Sequence, residues 1–128
     1  MREILFRGKR KDNGEWVYGC YVFQNGKHII FDKDTTWHHY IDKSTVGQYT
    51  GLTDRNGKKI FEGDLVKYLN PFPFVKEYIV SEVAFDLGFC GFIPFADYDC
   101  DCGEYVSSND CEVIGNIHDT PELLDGNE

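Results

Sequence analysis

Four thiols, Cys90, Cys100, Cys102 and Cys111, fall in one short window of the chain. Zinc takes four sulfur or nitrogen ligands on a tetrahedron, so the number suits a structural metal site. The spacing does not, because the usual set is two close pairs and only Cys100 and Cys102 are close. Isolated cysteines serving as small hydrophobes or loop residues are the favoured reading. The overlapping "DYDCDCGE" has aspartates at 97, 99 and 101 with the alternation of a calcium loop. An EF-hand would require glycine where Cys102 stands and a bidentate glutamate where Ser108 stands, so a solvated acidic loop is preferred.

The histidines and serines offer no better catalytic grouping. His38 and His39 are neighbours, and on an extended chain neighbouring side chains point to opposite faces. His118-Asp119 has no nucleophile to serve: Ser44, Ser81, Ser107 and Ser108 all lie outside a nucleophile-elbow motif. Catalytic, cofactor-binding and metal-binding residues are therefore all assigned as none, no cofactor is expected, and the chain reads as non-enzymatic.

Phosphate recognition is the remaining chemistry. "RGKRK" over Arg7 to Lys11 is the one basic run, and Lys58-Lys59 forms a second cationic pair. A β-ribbon with basic tips and exposed aromatics could hold a nucleic-acid backbone. Against this, the net charge is −9, which opposes strong non-specific binding, and no glycine-rich phosphate-cradling loop is present. The total hides a polarity: residues 1–67 carry 12 Lys/Arg against 9 Asp/Glu, whereas residues 68–128 carry 1 against 13. Such a chain can pair its halves within or between subunits, offer a local basic face, or simply present a solubilising acidic surface.

These side chains need a scaffold, and 128 residues suffice for one hydrophobic core but not for a second full domain. With 41% hydrophobic and 16% aromatic residues, the chain belongs with globular proteins whose core is rich in Phe and Tyr. No apolar run approaches the roughly 18 residues of a membrane helix, and the first residues lack the apolar stretch of a secretory signal. Five cysteines form an odd set without a disulfide framework, which agrees with free thiols in a reducing cytoplasm. A soluble cytoplasmic protein with no membrane partner is expected.

Turn signals then divide the chain into hairpins. "EILFRGK" and "EWVYGCYVFQ" read as strands joined at Asn13-Gly14, and "HIIF" returns after a second Asn-Gly at 25–26, giving a three-stranded meander. In the strand over residues 15–24 both faces carry bulk, so it is central or lies at an interface. "KDTTWHHYIDKST" shows no clean period and reads as a connecting loop with apolar anchors at Trp37, Tyr40 and Ile41. "GQYTGL" and "FEGDLVKYL" are strands around the Asn56-Gly57 turn, with Gly51 and Gly63 suited to bulges or positive φ. Prolines in "NPFPF" mark a loop or edge, "EYIVSEVAFD" alternates as one strand, and "GFCGFIPF" suits a hairpin return. "CEVIGNIHD" reads as a short strand, and "TPELL" as a helix start with Thr120 as N-cap and Pro121 at the first helical position.

Three blocks, "FRGKRKDNGEWVYG", "VGQYTGLTDRNGKKIFEGDLVKY" and "EVIGNIHDTPELL", occur in this order and closely resemble the YopX family of small phage and prophage proteins. The resemblance implies a mostly-β fold, a phage or prophage setting and a tendency to self-associate, and it brings no catalytic residue. Within the central block Gly47, Gly51, Gly57 and Gly63 serve turns and bends, Tyr49 and Leu52 anchor a core, and Asp64 ties a turn through its side chain.

The expected architecture is thus a mostly β (β-rich α+β) single domain over 1–128. It is a small curled sheet or barrel of antiparallel hairpins with a short C-terminal helix, in two β sub-halves joined near residue 70. The expected function is a phage accessory protein acting as a non-enzymatic, self-associating binding module, with a homo-oligomeric partner and a phage or host protein as further partner. A nucleic-acid-associated module of a replication or packaging system is the alternative.

Overall fold

The structure is a computed structural model in which residues 3–70, 74–87, 91–95 and 106–125 are described. Cys90, Cys100 and Cys102, with most of the acidic loop, lie outside the described residues. The chain forms two units, Met1–Gly51 and Leu52–Glu128. Residue 70 falls inside the second unit, between two strands that pair directly with each other.

In the first unit β1 (Phe6–Lys9) pairs antiparallel with β2 (Trp16–Gln24) through the turn at Gly14, whose φ is 75°. Asn25 and Gly26 take φ of 53° and 74°, the two-residue geometry that matches strand twist. β3 (Lys27–Asp32) therefore returns in full register, Gln24 facing Lys27 and Gly19 facing Asp32. β2 is central, between β1 and β3, as its two-sided bulk implied.

The segment read as a connecting loop is in part a strand: β4 (His38–Tyr40) pairs with β3, Phe31 facing His38 and Ile29 facing Tyr40. Its pattern was obscured because both neighbouring imidazoles are polar on paper, while one lies beside aromatic rings and the other across from Ile30. After β4 the sheet curls, so that Arg10 and Ile41 form an isolated antiparallel bridge and Asp42 donates its N–H to the Lys9 carbonyl. A 3₁₀ turn, Lys43–Thr45, leads into β5 (Gly47–Thr53), which pairs with β1 on the side away from β2. Gly47 is thus a strand residue facing Arg7, and the bend comes at Gly51, φ 88°. Val17, Ile30 and Ile41 form the core, with Phe6, Tyr21 and Val46 packed against them.

The second unit begins with the end of β5 and the turn Asp54–Lys58, which leads to β6 (Lys59–Phe61) beside it. Asp54 is the tie of this unit. Its carboxylate accepts the backbone N–H groups of Asn56, Lys58 and Val113 at 2.8, 2.9 and 2.9 Å. Next comes the turn at Gly63, φ 89°, closed by the buried Asp64 carboxylate accepting the Phe61 N–H at 2.8 Å. Gly63 itself donates to the Val83 carbonyl and accepts from the Ile117 N–H, so three segments meet at one glycine.

β7 (Asp64–Leu69) is flanked by β8 (Tyr78–Glu82) and β11 (Glu112–Asn116), both antiparallel. The stretch expected as one strand over 77–86 is two, because Val83 leaves the ladder to bond with Gly63 and Asp64. After this break β9 (Ala84–Asp86) pairs with β10 (Gly91–Ile93). Ile60, Val66, Tyr68, Val83, Phe95 and Cys111 make the core, and Leu52 packs against them. The short helix α1 spans Glu122–Asp125. Thr120 does not cap it through its hydroxyl, which instead bonds the Asn116 N–H and carbonyl. The fold is the expected β-rich one with a short C-terminal helix, and its sheets are open and curled rather than closed into a barrel among the described residues. Among those residues no helix is long and apolar enough to cross a membrane.

Candidate functional site

Side chains with binding chemistry converge on the first unit, around the loop that joins β3 to β4. Asp32 organises this loop: its Oδ1 accepts the N–H groups of Asp34 and Thr35 at 2.8 and 3.1 Å. Those backbone bonds hold the Asp32 carboxyl below its ordinary range. The Asp32 carbonyl accepts from Thr36, and the Asp32 N–H donates to Trp37. Thr36 takes φ 62°, a left-handed conformation that is costly for a β-branched residue. The loop is thus ordered and locally strained, and it displays Trp37 with 73% of its surface exposed.

Beside Trp37 lies a cleft of about 570 Å³. Its walls are the first hairpin turn, the Gly26 turn and β4. Lys11 and Lys27 are exposed cations on it, and the Lys27 ammonium sits 5.1 Å from the centre of the Tyr40 ring. Arg10 also lines the cleft, held by Asp12 through two bonds of 2.9 and 2.6 Å. That hydrogen bond raises the guanidinium pKa and lowers the carboxyl's, so each stays charged against the other. Three of the four histidines, His28, His38 and His39, complete the lining. His28 bonds the Tyr21 hydroxyl through Nδ1 and stacks on the Tyr21 ring, which fixes its plane.

Next to the cleft, one face of β2, β3 and β4 forms a continuous patch. Cross-strand register places Cys20, Phe31 and His38 in one row and Val22, Ile29 and Tyr40 in the next. His38 lies 6.0 Å from the Phe31 ring and 5.8 Å from the Tyr40 ring, edge-on to the latter. Phe31 and Tyr40 are 42% and 46% exposed. Among these strands this face carries no carboxylate, although the chain has 22.

The residues singled out from sequence are dispersed. His38 and His39 do face opposite ways, toward the patch and toward Ile30's side. His118 lies in the turn after β11, its N–H on Asn116 Oδ1. Ser44 bonds Asp42, Ser81 bonds the Tyr68 hydroxyl, and Ser107 accepts the Asn109 N–H. Cys111 is buried, its thiol donating to the Ser107 carbonyl. Burial first, then Asp110 and Asp54, push its pKa up to about 12, so no thiolate forms at neutral pH. The basic run splits: Arg7 is buried, Arg7 and Lys9 lie over the Trp16 ring, and Lys11 alone of the run is fully exposed at the cleft. Sequence reading missed the convergence of Lys27, Trp37 and Tyr40. The signal that could have found it was "HHYI" following "HIIF", two matched segments able to pair.

Fold and site together define a small β-rich protein of two units, with an exposed aromatic surface and, among the described residues, no cluster of three metal-ligating side chains. The profile of the YopX protein family matches residues 5–125, and the chain belongs to that family. The structure is similar to the crystal structure of protein EF1440 from Enterococcus faecalis, with a TM-score of 0.57 and 24% identity. That match covers 97% of this chain and 99% of the other. No functionally curated protein matches the chain.

Proposed function

We propose that this YopX-family chain is a phage- or prophage-encoded accessory protein that works by binding rather than catalysis and self-associates through the exposed face of β2, β3 and β4. The observation that carries the reading is the composition of that face. Phe31 and Tyr40 lie in adjacent rows with Val22 and Ile29, without a carboxylate and with Lys27 as the cation beside Tyr40, and exposed aromatics with few charges among them are what mark the core of an interface. A phage or host protein is the further partner of the assembled form, in the cytoplasm.

Light scattering across a concentration series tests it. The expected mass is an integer multiple of 14.8 kDa, falling to that of a single chain in Phe31→Glu, which places a charge in the middle of the patch. A strict monomer at every concentration removes the self-association.

A second reading, a nucleic-acid-associated module of a replication or packaging system, is favoured by one observation. The cleft gathers exposed lysines and aromatics in an otherwise acidic chain. Retention of the protein on an immobilised single-stranded oligonucleotide, lost as salt is raised, is the expected result, and absence of salt-sensitive retention disposes of it.

A further inference from the structure

We infer that the cleft beside Trp37 holds a nucleotide unit of single-stranded nucleic acid, its base stacked on Trp37 and its flanking phosphates on Lys11 and Lys27. This rests on the second reading above and names its site. Trp37 is the main reason. A tryptophan 73% exposed at the end of a hydrogen-bonded loop is displayed by construction, since the Asp32 bonds fix the loop and Thr36 holds a left-handed angle to aim it. Backbone strain of that kind collects where a side chain must be held ready for a ligand.

The charges around it suit phosphodiesters. Lys11 and Lys27 are exposed, while Asp12 is already engaged by Arg10, so the carboxylate on the rim is matched within the protein. Tyr40, 46% exposed under the Lys27 ammonium, offers a second ring for a neighbouring base. Aromatic rings between cations are what hold single strands without reading sequence. The volume of about 570 Å³ falls within the range of small-ligand sites. A free triphosphate is a poorer occupant, because it needs a cradle of backbone N–H groups and several convergent cations. A duplex is excluded by its own stacking, which keeps its bases from Trp37.

The experiment is fluorescence anisotropy of a labelled oligothymidylate against the intact protein, with competition by unlabelled mononucleotide, duplex DNA and inorganic polyphosphate. The expected result is binding at low salt, accompanied by quenching of tryptophan emission. Affinity should fall about tenfold or more in Trp37→Ala, on the scale of one lost base stack. Loss of Lys11 or Lys27 by substitution to Ala should each reduce the salt slope by roughly 0.7. Circular dichroism of each variant checks folding, and all three positions are exposed.

Oligonucleotide binding that Trp37→Ala leaves unchanged overturns the site while sparing the nucleic-acid reading. No binding at low salt overturns both. Competition by polyphosphate equal to that of the oligonucleotide shows that charge alone is recognised, and equal competition by mononucleotide or duplex refutes a single-strand site. A change of assembly mass in Trp37→Ala without any oligonucleotide binding assigns the cleft to contact between copies and likewise refutes it.

Discussion

Asp54 ties the turn at 54–58 to β11, and its replacement should destabilise the second unit. The residue is 4% exposed and its carboxylate collects three backbone N–H groups, two from its own turn and one from Val113 across the unit. Burial opposes the charge, but the bonds from Val113, Lys58 and Asn56 outweigh it and hold the pKa below its ordinary value. One hydrogen bond to a charged group contributes about 1.5–3 kcal/mol, and three bonds to one carboxylate are not independent, so Asp54→Ala should cost about 3–5 kcal/mol. Small domains hold only about 5–15 kcal/mol in total. The same substitution removes one of the ties between this turn and the start of β11, where Arg55 also donates its N–H to the Cys111 carbonyl and its guanidinium to Glu112.

Urea unfolding followed by far-UV circular dichroism reads the change. Tryptophan emission is the wrong probe, since Trp16 and Trp37 both lie in the first unit. The pH dependence gives a second reading. The unfolded carboxyl titrates near 3.9 and the folded one below it, so the unfolded chain binds the proton first as pH falls. The contribution of Asp54 is therefore full above about pH 4 and is lost as pH drops from there through the folded value. Asp54→Asn should show a shallower loss of stability below about pH 4 than the parent. A cost under about 1 kcal/mol for Asp54→Ala, or an unchanged acid limb in Asp54→Asn, would refute the reasoning.

Other expectations follow from close packing and strain. A Cβ at Gly19 would lie 1.8 Å from the Phe31 carbonyl oxygen, so Gly19→Ala should displace β3 from β2 and cost about 3 kcal/mol or more in chemical denaturation. Gly63→Ala places a side chain at φ 89° and should cost about 1–2 kcal/mol by the same measurement. Thr36→Asn should stabilise the fold slightly, as Asn tolerates the left-handed region better than a β-branched residue. Alkylation mapped by mass spectrometry should label the exposed Cys20 in the native state and leave Cys111 protected until denaturant is added.

The turns were legible because their chemistry is local. Asn-Gly at 25–26 can hardly be anything other than a two-residue hairpin turn, and Gly51, Gly57 and Gly63 do sit at positive φ. Asp64 ties its turn as its position beside Gly63 implied. What sequence could not give was long-range pairing. The break at Val83 depends on Gly63, twenty residues earlier and brought near only by the fold. β4 was hidden because a three-residue strand with two histidines has no periodicity of its own and exists through its pairing with β3. The cleft shared that fate: Lys11, Lys27 and Trp37 are distant in sequence, and only the hairpin register brings them to one rim. The exposed face of β2 was half visible, since its two-sided bulk already pointed to a strand that is central or lies at an interface.

Hydroxyl-radical footprinting of the patch, compared between dilute and concentrated protein by mass spectrometry, tests self-association through β2, β3 and β4 most directly. Phe31 and Tyr40 should be oxidised readily in dilute solution and become protected on concentration, while Leu87, 83% exposed in the second unit, keeps its rate. Equal oxidation of Phe31 and Tyr40 at both concentrations, in a sample that light scattering shows to be assembled, would contradict the assignment of this face.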